Sequence, residues 1–89
     1  MVGEIRFEKD AVVELNRSKC FFDSIGKGEQ FLNDFENQIA LILAMPEAFQ
    51  IRYRKVRIIS FEYFSFTIHY TINKEEIVIL NILSQYQDY

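Results

Sequence analysis

The apolar residues of this chain change period partway along it, and that change limits the folds it can adopt. Leu32, Phe35, Ile39 and Ile42 recur at steps of three, four and three, with Phe31 and Leu43 widening the stripe. Asn33, Glu36 and Asn37 take the opposite side, as on an amphipathic helix. Further on, Phe66, Ile68, Tyr70 and Ile72 alternate strictly with Thr67, His69 and Thr71. A period of two marks a strand with one face buried. A chain that carries both patterns in separate segments must pack a helical layer on a sheet.

The remaining segments extend this plan. Glu4–Phe7 alternates charged and apolar residues, as a short half-buried strand does. Asp10 stands where a helix N-cap belongs, and Val12, Leu15 and Phe22 share one face of a helix over roughly 10–25. Gly26-Lys27-Gly28 lacks the spacing and the Ser or Thr of a phosphate loop and reads as a helix–helix turn. The second helix spans roughly 28–45 and stops before Pro46, which disfavours helical geometry in its predecessor. So short a loop makes the two helices an antiparallel hairpin. Val56–Phe61, Phe66–Ile72 and Ile77–Leu83 follow as three strands of an antiparallel meander, the last apolar enough to be central. The expected fold is α+β: an N-terminal strand, a helical hairpin and a three-stranded antiparallel β-meander, in two layers. Leu32, Phe35, Ile39, Ile68, Tyr70 and Leu80 are its expected core. The partner of the first strand is not specified by the pattern.

Eighty-nine residues, 49% of them apolar, make one packed domain, 1–89, with a single core. The longest apolar run, Ile39–Met45, is too short to span a bilayer. The N-terminus is charged from the start, without an apolar signal segment. A lone Cys20 fits a reducing cytoplasm, and one Cys with one His argues against a zinc site. The sequence implies no cofactor, no metal and no membrane partner. Net charge is −3, which argues against a broad nucleic-acid-binding face. Positive charge is concentrated in Arg52, Arg54, Lys55 and Arg57. Such a cluster suits either an acidic partner or a solvated strand edge that discourages unwanted pairing.

Several stretches resemble known proteins. They are Pro46-Glu47-Ala48-Phe49 with Arg52-Tyr53-Arg54-Lys55-Val56-Arg57, then Phe64 to Tyr70 with its Ile68-His69-Tyr70, and Glu75–Leu80 with Ile82-Leu83. In wording and order of elements the chain resembles the RelE/ParE toxin superfamily, in particular its ParE-like, plasmid-stabilisation branch, over roughly Ile5 to Asp88. The resemblance implies a cytoplasmic growth-inhibiting toxin and a cognate antitoxin that wraps and neutralises it. It further implies DNA gyrase as a target, or the ribosome if the chain is closer to RelE, and assembly into a homo- or hetero-oligomer. It places Arg57 at the start of the strand after the hairpin, in the groove between sheet and helices. A guanidinium there can hold a carboxylate or a phosphate with two hydrogen bonds. A salt bridge to an acid on the first helix, such as Glu14, is the structural alternative. The partner-binding candidates are therefore Arg52, Arg54, Lys55 and Arg57.

The catalytic candidates are Arg57, His69 and Tyr86. His69 is the only histidine; its alternation places it opposite the core face, either as an accessible acid–base group or as a surface strand residue. Arg57 would supply the cation that stabilises a phosphorane in RNA cleavage, and His69, Tyr86 or Tyr89 would move protons. Many members of the ParE-like branch end in a pattern resembling His-x-x-Arg-Asp/Asn-Pro. Here Ser84 stands in the place of the histidine, Gln87 in that of the arginine and Tyr89 in that of the proline; Asp88 is retained. With both cation-capable positions neutral, the leading expectation is a toxin that works by binding a protein and is not an enzyme. The alternatives are a ribosome-dependent mRNA endoribonuclease of RelE type and a degenerate, non-toxic member that retains only antitoxin binding.

Overall fold

The helical and alternating segments become the two layers that their periods require. A computed structural model describes residues 4–85. In chain order the elements are β1 (Glu4–Phe7), α1 (Lys9–Ser24), α2 (Gly28–Ala44), β2 (Ile51–Tyr53), β3 (Val56–Ser60), β4 (Phe66–Asn73) and β5 (Glu76–Ser84). The sheet runs β1-β5-β4-β3-β2. β2 to β5 form an antiparallel meander, and β1 lies parallel to β5 in the register Ile5↔Ile77 and Phe7↔Ile79. The expected three-stranded meander therefore has a fourth strand, β2, at its edge. With three residues, two of them flanking a lone arginine, β2 is too short to give a periodic signal. No helix among the described residues is long and apolar enough to cross a membrane.

The two helices differ from expectation in detail. α1 begins at Lys9 with Glu8 in the N-cap position, so Asp10 lies in the first turn, where its charge suits the helix dipole. Its inward stripe is Ala11, Leu15, Ser18 and Phe22, whereas Val12 is exposed. Gly26 ends the hairpin turn at φ 76°, a conformation that glycine takes without a Cβ clash. α2 buries Phe31, Asp34, Phe35, Gln38 and Ile42. Leu32 and Ile39 are half-buried against the core, and Leu43 faces outward. Phe31, Phe35 and Ile42 of the expected stripe are thus buried, while Asp34 and Gln38 take the inward positions expected for Leu32 and Ile39.

The core has two parts. Ile68, Tyr70, Ile77, Ile79 and Ile82 are fully buried on the helix-facing side of the sheet. Beside them, Phe31 stacks on Phe22 and Phe61 at ring-centroid distances of 4.9 and 5.3 Å and meets Phe64 and Phe66 edge-on. Offset and edge-on aromatic pairs add to the area that they bury.

Two bulges decide which side chains face which way. In β4·β5 the register passes from His69↔Asn81 to Tyr70↔Ile79, leaving Leu80 as the extra residue. The core phase of β5 therefore shifts from Ile77 and Ile79 to Ile82, and Leu80 is only half-buried. In β2·β3 the pairs are Ile51↔Arg57 and Tyr53↔Val56, so Arg52 is extra. That additional residue turns Tyr53 onto the face opposite the helices, which it shares with His69.

Candidate functional site

Arg57 starts the site from the helix-facing side of β3, opposite Tyr70. Its guanidinium does not reach Glu14, which pairs with Arg17 at 3.3 Å. Arg57 Nη1 instead donates to the carbonyls of Phe49 at 2.6 Å and Glu47 at 3.2 Å. The Tyr70 hydroxyl donates to the Pro46 carbonyl at 2.7 Å. Three carbonyls of the segment between α2 and β2 are thus tied to two adjacent sheet residues. Burial pushes the Tyr70 phenol up to about 12, against a smaller opposite pull from the Arg57 charge. Arg57 was expected to belong to one basic patch with Arg52, Arg54 and Lys55. It faces inward and holds a loop, whereas the other three are exposed on the β2–β3 hairpin.

His69 departs from expectation more sharply. It lies on the face opposite the helices, as its alternation requires, yet it is 1% exposed. Tyr53 Oη lies 3.2 Å from its Nδ1, and Thr67 Oγ1 lies 3.0 Å from its Nε2. The Thr67 hydroxyl donates to the Leu83 carbonyl at 3.3 Å, so it accepts from Nε2–H, and Nδ1 accepts from the tyrosine. This assigns a neutral imidazole protonated on Nε2. Burial holds its pKa below the usual histidine value. A buried, bonded imidazole does not present itself to a substrate. β2 brings Tyr53 within hydrogen-bond distance of the histidine, a contact that alternation within β4 does not reveal.

Tyr86, with Gln87, Asp88 and Tyr89, lies outside the described residues. Ser84 and Gln85 lie within them. Ser84 lines a cleft of about 740 Å³ at the end of the sheet where the helical hairpin turns. Its walls are Phe22, Ile25, Phe64 and Phe66, and Asn33 and Asn37 stand on its α2 side. Phe21, 60% exposed, and Tyr63, 77% exposed, add to the apolar surface at this end of the molecule. Exposed aromatic area beside a concavity is the kind of surface on which partners and ligands commonly bind.

Asp34 shapes that cleft, and the sequence reading did not single it out. It is buried on α2 and accepts the backbone N–H groups of Tyr63 at 2.7 Å and Glu62 at 3.0 Å. Gln38 Nε2 donates to its Oδ1 at 3.0 Å. One carboxylate therefore fixes the β3–β4 loop that forms one cleft wall. The available signal was an acidic residue between Phe31 and Phe35, on the inward stripe of a helix. Among the described residues, no group of three or more His, Cys, Asp and Glu side chains is placed to hold a metal.

Against known proteins, the fold has a clear counterpart. A solved structure described as "Chromosomal ParDE TA system from P. aeruginosa" superposes with a TM-score of 0.70, covering 93% of this chain and 96% of that one. Identity is 15%, so the likeness speaks for the fold. No curated protein sequence matches the chain. A family model described as "ParE toxin of type II toxin-antitoxin system, parDE" matches residues 5–89. The chain belongs to that ParE toxin family, within the RelE/ParE toxin superfamily.

Proposed function

We propose that this domain is the toxin of a ParE-like type II pair and that it acts by gripping a cellular protein, not by cutting RNA. The observation that carries this reading is the fate of the two catalytic candidates within the described residues. Arg57 spends Nη1 on two backbone carbonyls, and His69 is buried between Tyr53 and Thr67. Cleavage through a 2′-hydroxyl needs an accessible acid–base group and a cation aimed at the phosphate. Neither residue offers these, and a net charge of −3 gives an RNA strand little to follow. DNA gyrase is the target that the ParE-like resemblance suggests.

The cognate antitoxin occupies the aromatic cleft in this reading. An amphipathic helix would set apolar side chains against Phe22, Ile25, Phe64 and Phe66 and leave its polar edge to Asn33 and Asn37. The result is a hetero-oligomer in which the antitoxin covers apolar surface that the free toxin exposes.

The test is induced expression in a bacterial host, with and without the neighbouring upstream frame, together with mapping of mRNA 5′ ends and plasmid supercoiling. Growth arrest with intact messages and altered supercoiling, relieved by the neighbour, is the expected result. Codon-registered mRNA cuts would replace this reading with the endoribonuclease. Normal growth with a stable toxin–antitoxin complex would replace it with the non-toxic member, in which neutral Ser84 and Gln87 mark the lost activity.

A further inference from the structure

The β2–β3 hairpin carries three cations that the fold does not use. Arg52, Arg54 and Lys55 are exposed, and the ion pairs among the described residues are made by Arg6, Arg17 and Lys19. Arg54 and Lys55 occupy the two central positions of the turn at φ 44° and 66°. Both values are left-handed, a conformation usually given to Asn and Gly in such turns. The Thr71 hydroxyl donates to the Lys55 carbonyl at 3.1 Å, which steadies the turn from β4. Arg52 is the extra residue of the bulge, and its neighbours Ile51 and Tyr53 remain 48% and 44% exposed.

Charge on an edge strand discourages sheet-to-sheet pairing. One cation on a three-residue strand serves that purpose; it does not call for two more on left-handed turn residues beside an exposed isoleucine and tyrosine. We propose that the β2–β3 hairpin is a docking surface for an acidic segment of a partner protein. The guanidinium forks of Arg52 and Arg54 take carboxylates, Lys55 adds a point charge, and the half-exposed ring of Tyr53, on the face away from the helices, takes an apolar side chain beside them. The patch is short, three cations within the four residues Arg52–Lys55. A short acidic peptide fits it better than the long phosphate track of a nucleic acid.

The topology separates this surface from the cleft. The hairpin turn precedes β3 and the cleft-forming loop follows it, so the two lie at opposite ends of that strand. The hairpin surface goes beyond the toxin reading and does not depend on it. A domain with two such surfaces can hold one partner in the cleft and another on the hairpin.

The experiment titrates the full chain with a short fluorescein-labelled peptide alternating glutamate and valine. The same peptide with lysine for glutamate and a single-stranded RNA oligonucleotide serve as comparisons. The glutamate peptide is expected to bind with an affinity that falls as salt rises, and the lysine peptide is not. Arg52→Gln/Arg54→Gln/Lys55→Gln should weaken binding by roughly tenfold or more, whereas Arg17→Gln, which removes an exposed cation from α1, should leave it unchanged. Slower amide exchange at Arg52–Lys55 of the unaltered chain on adding the peptide gives a second readout if the triple variant does not fold. Absence of binding, equal binding by a folded triple variant, or preference for the RNA would overturn the proposal. None of these measurements uses toxicity or the antitoxin, so this inference and the toxin reading can fail separately.

Discussion

Arg57 Nη1 lies 2.6 Å from the carbonyl oxygen of Phe49, eight residues earlier in the chain. The bond joins the start of β3 to the segment that leaves α2, on the same side of the sheet as the helices. It converts the arginine that the resemblance marks for a partner's carboxylate into one that orders its own backbone. The hairpin cations next to it are thereby left as the solvent-facing part of the basic cluster.

Arg57→Ala should therefore lower stability, by about 1–3 kcal/mol, because two carbonyls lose a charged donor and one of them is part-buried. Arg57→Lys should recover part of the loss, since an ammonium can reach one carbonyl but lacks the fork. Chemical denaturation measures both. If Arg57→Ala left stability unchanged while weakening antitoxin binding, the guanidinium would belong to the interface after all.

His69 makes stability depend on pH with a defined sign. Burial lowers its pKa in the folded chain below the unfolded value of 6.5. Below 6.5 the unfolded chain takes up a proton that the folded chain resists, so stability is full above that pH and declines as pH falls toward the folded pKa. Acidification also threatens the bond from Tyr53, because a protonated Nδ1 can no longer accept it. Denaturation at about pH 7.5 and about pH 5.5 should show a loss in the parent that is smaller in His69→Gln. A parallel decline in both proteins would assign the pH dependence to the carboxylates.

The order of elements was legible because Leu32–Ile42 and Phe66–Ile72 each repeat long enough to declare a period. β2 was not, since three residues interrupted by a bulge carry no period at all. The Tyr53–His69 contact was hidden by that omission: alternation placed His69 on the correct face, but β2 is what brings Tyr53 to it. Leu80 illustrates a related limit, because a bulge changes which residues of β5 point inward and leaves no mark in composition. In α2 the apolar stripe was read through Leu32 and Ile39, whereas the buried line passes through Asp34 and Gln38. Polar residues on a buried stripe are invisible to a count of apolar ones. The backbone groups that they serve belong to a loop far along the chain. Arg57 was placed on the right strand and facing the groove, yet its partners are carbonyls, which have no sequence signature.

Phe31 sits where the helical hairpin, β3 and the β3–β4 loop meet, fully buried among four other phenylalanines. Phe31→Ala should cost about 3–5 kcal/mol, the range for removing a large core side chain. That is a large share of what a domain of this size has, so the variant is expected to melt far below the parent. Phe35→Ala belongs in the same range. A melting temperature within a degree or two of the parent would contradict the packing of either ring.

Asp34 links stability to the shape of the cleft. Asp34→Ala removes the acceptor of two backbone N–H groups, at Glu62 and Tyr63, and the partner of Gln38. Leaving such donors without an acceptor costs about 1–3 kcal/mol each where water cannot reach them, and less where it can. Tyr63 itself is 77% exposed, so its N–H is expected to recover a water and the total to stay near about 2–4 kcal/mol. Asp34→Asn keeps one oxygen as acceptor and should cost less. The sharper readout is local. Amide exchange at Glu62 and Tyr63 should accelerate in Asp34→Ala more than exchange in the β4·β5 ladder, because the loop can open without unfolding the sheet. Antitoxin affinity should fall in the same variant even at temperatures where the sheet is intact, since the loop that carries Phe64 forms one wall of the cleft. Uniform acceleration across the domain would make Asp34 a global stabiliser. Full antitoxin affinity with a loosened loop would move the binding surface away from the cleft.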